Sequence, residues 1–238
     1  MTLIKICGLT SMEDAVVISQ FSVDIIGLVF AESRRQVSPQ QAAQITSQVR
    51  KLSRQPEIAG VFVNESPHVV NRTADRYGLD MVQLSGDESW DYCRKINRPV
   101  IQVIHVLPTT STGEIIEHIN QGNGAGSKLP FVCMLDSKGS GEYGGTGHVF
   151  EWKIAQEVAA AFPVMIAGGL SAGNVGELIS QVRPVGVDIS SGVETDGRKD
   201  IAKVRDFIQA VRSSDGQDKD SRNLLETYSL KGGKNVTR

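Results

Sequence analysis

The chain has 238 residues, 40% hydrophobic and 22% charged, with 25 Lys and Arg against 27 Asp and Glu and a formal charge of −2. Such a composition buries a sizeable core in one large domain or two small ones and excludes a disordered polymer. It also lacks the basic run that would line a nucleic-acid backbone, so no nucleic-acid partner is expected.

Nowhere does an apolar run reach the about 18 residues of a membrane span, and the opening residues do not read as a cleaved leader. A cytoplasmic protein without membrane contact is the expectation. The three cysteines, Cys7, Cys93 and Cys133, are odd in number and widely spaced. They suggest neither a disulfide framework nor a zinc site, and no metal is expected.

In chain order, short apolar runs rich in β-branched residues occur at 3–7, 24–30, 58–63, 81–85, 100–106, 131–136, 164–169 and 185–190. Several are apolar at nearly every position, as parallel strands covered on both faces require. Helical patterns fill the gaps. Thr10 with Glu13 reads as a capping box, and Ser38-Pro39 and Ser66-Pro67 each put an N-cap before a proline. The two proline-led helices are expected to end near Lys51 and at Tyr77 before Gly78, with further helices at 88–96, 113–121, 150–161, 174–182 and 199–212. The glycine-rich stretch 120–128 reads as a surface loop.

Eight strands each followed by a helix describe an α/β fold of one domain, a (β/α)8 TIM barrel with parallel strands, over residues 1–212. The alternative is an open doubly wound sheet. It usually carries a glycine-rich fingerprint after the first strand, where this chain has the single glycine of Cys7-Gly8-Leu9-Thr10. Residues 213–238 are polar, with a short apolar patch at Leu224, Leu225, Tyr228 and Leu230, and are expected to form a disordered tail, the alternative being one weak extra helix.

Functional groups of such a barrel gather at the C-terminal ends of its strands. Those ends carry Cys7, then Arg34 and Arg35, Asn64, Gln83 and Ser85, His105, Asp136, Gly168-Gly169, and Asp188 with Ser190-Ser191-Gly192. Glycine amides and serine donors after the last two strands suit a phosphate dianion, although glycines also serve tight turns and serines cap helices. Cys7 and Asp136 are the candidate proton carriers. Lys5 shares the face of Cys7 and is expected to depress its pKa, and Asp136 emerges from a dry strand. Cys133 and Cys93 read as core.

Together KICGLT (5–10), GLVF (27–30), SRRQVS (33–38), GVFVN (60–64), VQLSG (82–86), LDSKGSGEYGGTG (135–147), AGGL (167–170) and VDISSGVE (187–194) resemble phosphoribosylanthranilate isomerase, an enzyme family of tryptophan biosynthesis. The resemblance runs from Leu3 to Val211 and implies a cofactor-free Amadori rearrangement of N-(5-phosphoribosyl)anthranilate. It implies Asp136 as the acid that opens the furanose ring and Cys7 as the thiolate that removes the proton of the sugar's second carbon. Arg35 aligns with an arginine set against the anthranilate carboxylate, with Arg34 beside it, and Asp188 with an aspartate near the sugar. Gly168, Gly169, Ser190, Ser191 and Gly192 are expected to hold the phosphate, and 143–147 resembles a covering loop. The assembly is expected to be a monomer or homodimer.

The chain departs from the family at Ser85, where VQLHG is common, and at Ala167, where a serine is common. Two rival readings follow from the same residues. The related isomerase of histidine biosynthesis uses two aspartates, which Cys7 argues against. An inactive barrel kept as a phosphate-ligand binder or assembly partner would have no reason to hold Cys7, Asp136 and Arg35 together.

Overall fold

In the computed structural model, which describes residues 1–123, 131–137 and 152–217, eight parallel strands close into a barrel. They are β1 (Leu3–Cys7), β2 (Ile25–Val29), β3 (Glu57–Phe62), β4 (Met81–Leu84), β5 (Val100–Val106), β6 (Phe131–Ser137), β7 (Val164–Ala167) and β8 (Gly186–Ile189). β1 closes the ring by pairing β8 from Leu3↔Gly186 to Ile6↔Ile189. The closed ring overturns the open-sheet alternative. Among the described residues eight helices alternate with the strands: α1 (Met12–Ser19), α2 (Pro39–Val49), α3 (Pro67–Tyr77), α4 (Trp90–Cys93), α5 (Thr112–Asn123), α6 (Trp152–Ala161), α7 (Val175–Val182) and α8 (Ile201–Gln217). Between β8 and α8 a 3-10 turn (Ser191–Val193) leads into a two-stranded antiparallel hairpin, β9 (Glu194–Thr195) and β10 (Arg198–Lys199).

Strand alternation builds two cores, because successive side chains point to opposite faces. One set, including Ile4, Ile6, Ile26, Leu28, Ile58, Leu84 and Leu135, packs under the helices. The other, Ile25, Ala59, Met81, Ile101, Val103, Val132, Met134, Met165 and Ala167, fills the barrel interior. Cys133 belongs to the outer set and is 2% exposed, as its parity required. Burial drives its thiol up to about 12. Cys93 is half-buried in α4, where its Sγ donates to Gln102 Oε1 at 2.9 Å. Among the described residues no helix is long and apolar enough to cross a membrane.

Ser38 and Ser66 cap α2 and α3 as expected, and Gly78 ends α3 in the left-handed conformation. Four elements differ from expectation. α1 is capped by Ser11, whose Oγ accepts from Asp14 N, and the Thr10 carbonyl instead accepts from Gln41 Nε2. The expected helix at 88–96 shrinks to four residues. Glu88 is drawn inward, 6% exposed, and its carboxylate accepts from Asn64 N at 2.6 Å and Gly86 N at 2.8 Å, leaving Ser89 as the cap. The stretch read as a loop from Asn120 is helical to Asn123, at the end of α5, and its remainder lies outside the described residues.

α8 also outruns its expected end at Arg212 and continues to Gln217. The first five residues of the expected tail, 213–217, therefore belong to this helix, and 218–238 lie outside the described residues. The extension has a partner at the other end of the chain. Asp215 accepts from Thr2 N at 2.9 Å and Thr2 Oγ1 at 2.8 Å, while Arg212 donates to the Thr2 carbonyl at 2.6 Å and to Asp24 Oδ2 at 3.0 Å. These contacts tie α8 to the start of β1. Asp215→Ala is expected to cost about 1–2 kcal/mol, the range for losing charge-assisted hydrogen bonds that are partly wet, in urea unfolding monitored by far-UV circular dichroism.

Candidate active site

Inside the barrel, Lys5 is fully buried and pairs in register with Asp188, to whose Oδ1 its Nζ donates at 2.8 Å. Removing both charges from water is tolerable only because they meet. Burial works to neutralise Lys5, but the charges of Asp188 and Cys7 outweigh it and its pKa stays above the ordinary lysine value.

Two residues along the same face, Cys7 ends β1 in register with Gly27 of β2. Burial pushes its thiol up, Lys5 pulls it down, and Asp188 adds to the rise; the net direction is upward. This corrects the expectation that Lys5 would leave a depressed thiol. The lysine acts in the expected sense, yet desolvation is the larger effect.

Asp136 occupies the corresponding place on β6, on the inner face with Val132 and Met134 and in register with Ala167 of β7 and His105 of β5. Its carboxylate lies under the turn that follows β7. A Cβ on Gly168 would stand 2.1 Å from Ser137 Oγ and 2.9 Å from Asp136 Oδ1, and the residue's φ of +87° is open to glycine. Gly169 beside it is exposed.

The turn after β8 packs against the turn after β7. A Cβ on Gly192 would meet the Leu170 carbonyl at 2.0 Å, so glycine permits the contact. Ser191 and Gly192 are exposed, whereas Ser190 turns inward and its Oγ donates to the Cys7 carbonyl at 3.1 Å. Ser190 thus ties β8 to β1 one step above the Lys5–Asp188 pair. Gly168, Gly169, Ser190, Ser191 and Gly192 are brought to one side of the barrel mouth.

Arg35 reaches the same rim from the loop after β2. A Cβ on Gly8 would lie 2.5 Å from Arg35 Cδ and 3.1 Å from Ser190 Oγ. Its guanidinium makes a two-pronged pair with Glu194, Nε to Oε1 at 2.7 Å and Nη2 to Oε2 at 2.9 Å. Arg34 joins through Nη2 at 3.0 Å with its side chain 61% exposed, and Lys199, 3% exposed, donates to Oε1 at 2.8 Å. Burial would raise the Glu194 pKa, but the hydrogen bonds of Arg35 and Lys199 carry it down to about 2. Sequence reasoning missed Glu194 and Lys199 as members of the site. The available signal was a carboxylate ending VDISSGVE, the only acid in that stretch after the phosphate-type turn, with SRR elsewhere to receive it. Residues 143–147, expected to cover the site, lie outside the described residues.

Residues 4–210 match the family described as N-(5'phosphoribosyl)anthranilate (PRA) isomerase. The chain belongs to this family. It is 43% identical over 212 residues to the N-(5'-phosphoribosyl)anthranilate isomerase of Dehalococcoides mccartyi, covering 89% of this chain and 96% of that one. Phosphoribosyl anthranilate isomerase from Thermotoga maritima has a similar structure, with a TM-score of 0.77 at 34% identity over 90% of this chain and all of that one. A phosphoribosyl anthranilate isomerase solved in complex with reduced 1-(o-carboxyphenylamino)-1-deoxyribulose 5-phosphate matches with a TM-score of 0.74 at 32% identity, again over 90% of this chain and all of that one.

The cluster around Glu194 makes an acid-stability prediction. A carboxyl whose folded pKa is about 2 against an ordinary 4.5 contributes stability that is complete above 4.5 and disappears as pH falls toward 2. Glu194→Gln is therefore expected to flatten the loss of stability between those two pH values relative to the parent chain, measured as urea midpoints across that window.

Proposed function

We propose that the chain isomerises N-(5'-phosphoribosyl)anthranilate to its 1-deoxyribulose 5-phosphate derivative, with Asp136 as the acid and Cys7 as the base. The observation that carries this reading is that Cys7 and Asp136 both end inward-facing strand positions at one barrel mouth, in a chain of this family.

In the first step the Asp136 carboxyl gives its proton to the furanose ring oxygen. The bond from that oxygen to the sugar's first carbon breaks, and the nitrogen lone pair forms the C=N bond of a Schiff base. The Cys7 thiolate then takes the proton from the second carbon. The electrons of that C–H bond move toward nitrogen, and the resulting enamine relaxes to the ketone. Asp136 ends as a carboxylate and Cys7 as a thiol, so each turnover closes when the two exchange protons with solvent or product.

Arg35 offers a planar fork that suits the anthranilate carboxylate, and its side chain is 23% exposed where that of Arg34 is 61%. Glu194 orients that fork in the free protein. The phosphate is assigned to the turns holding Gly168, Gly169, Ser191 and Gly192. Ser190 contributes through its backbone, since its hydroxyl proton is committed to the Cys7 carbonyl. Asp188 lies beneath, near the sugar.

Purified protein mixed with freshly generated phosphoribosylanthranilate is expected to accelerate the decay of substrate fluorescence; a rate equal to background would end the proposal. Cys7→Ser and Asp136→Asn should each lower kcat by about 10²–10⁴, the usual worth of a general acid or base.

The raised thiol gives a pH prediction for the same assay. kcat/KM should still climb as pH passes the ordinary thiol value of 9.0. Lys5→Met combined with Asp188→Asn, which avoids a stranded carboxylate, should move that limb to higher pH, because the lowering effect of Lys5 exceeds the raising effect of Asp188.

A further inference from the structure

The inner ends of β4 and β5 carry polar groups that the mechanism above does not use. Gln83 stands beyond Met81 on the interior face and is 6% exposed. Its Nε2 donates to Ser85 Oγ at 3.0 Å, while its Oε1 is buried and finds no partner among the described residues.

His105 follows Val103 on the interior face, in register with Asp136. Its Nε2 lies 2.9 Å from the Ser85 carbonyl. A carbonyl can only accept, so Nε2 carries the proton and Nδ1 of the neutral ring is a bare acceptor. That Nδ1 is also buried without a partner among the described residues. The fifth strand thus brings its imidazole onto the backbone of Ser85, the residue that follows the fourth strand.

Buried polar groups are expected to be paired, and two unpaired acceptors joined through one serine mark a place that awaits donors. On the isomerase reading above, the phosphate and carboxylate of the substrate bring acceptors. Its ribose hydroxyls bring donors. We infer that His105 Nδ1 and the Gln83 amide form a hydroxyl-binding subsite on the β4–β5 wall beside Asp136, which takes the ribose hydroxyls and sets the sugar against the acid.

Two amide replacements separate the two ring nitrogens. In His105→Asn the side-chain oxygen stands near the place of Nδ1 but does not reach the Ser85 carbonyl; in His105→Gln the amide reaches that carbonyl and leaves nothing at Nδ1. Measured by substrate fluorescence, His105→Asn should keep kcat/KM within about threefold of the parent and His105→Gln should lose on the order of tenfold, chiefly in KM, as expected for one lost hydrogen bond. The inhibition constant of inorganic phosphate should be unchanged in both. The inference is overturned if Gln preserves activity and Asn does not, if neither variant differs from the parent, or if phosphate affinity falls in step with KM. A parent chain without turnover would overturn the isomerase reading and this subsite with it, whereas an active parent with indifferent variants overturns the subsite alone.

Discussion

The buried ion pair between Lys5 and Asp188 is the constraint on which the barrel mouth depends. An ammonium with no exposure to solvent is tolerated only with an anion in contact, and the anion comes from the last strand while the cation comes from the first. The pair therefore demands that β1 and β8 meet in the register Lys5↔Asp188. Closure of the ring and construction of the site are one requirement. Two residues farther along each strand the seam is repeated with neutral groups, as Ser190 Oγ donates to the Cys7 carbonyl. The carbonyl of the proposed base is fixed by the same seam.

On the proposed reading, the electrostatics around the rim are arranged to receive anions. Arg34, Arg35 and Lys199 converge on the single carboxylate of Glu194, leaving an excess of positive charge. Because Glu194 titrates at about 2, it does not relieve that excess by taking a proton under ordinary conditions. It serves instead to hold the Arg35 fork in one orientation, so that on the proposed reading an incoming carboxylate meets a guanidinium whose entropy is already lost. The cost is competition for the same donors. A ligand gains from Arg35 only what remains after Glu194 has taken its share.

Much of this was legible in the sequence, for local reasons. Strand parity alone separated Cys133, under the helices, from Asp136, on the inner face, and Ser-Pro pairs marked two helix starts because cap and proline act within one turn. The strand-end rule gathered Cys7, Asp136, Asp188, Gly168 and Ser190 on one side of the molecule. What it could not supply were features set by distant partners. Glu88 leaves its helix to satisfy the Asn64 amide, and α8 gains its last turn from Thr2, 213 residues from Asp215 in the chain. Glu194 meets Arg35 across 159 residues. A one-residue slip at Ser11 belongs to the same class, since the Thr10 carbonyl is claimed by Gln41 from the next helix.

The raised thiol of Cys7 bears on how the proposed base works at the end of a buried strand. Asp188 makes the burial of Lys5 possible, and it also withdraws part of the help that Lys5 gives to the thiolate. A lone lysine would favour the thiolate more but would not stay charged in the barrel. The compromise lowers the fraction of thiolate in the empty site. It also makes each thiolate a stronger base, because basicity rises with pKa, and a proton on carbon is removed faster by a stronger base. Burial of Cys7 thus exchanges population for strength. The ion pair below it sets where that exchange comes to rest.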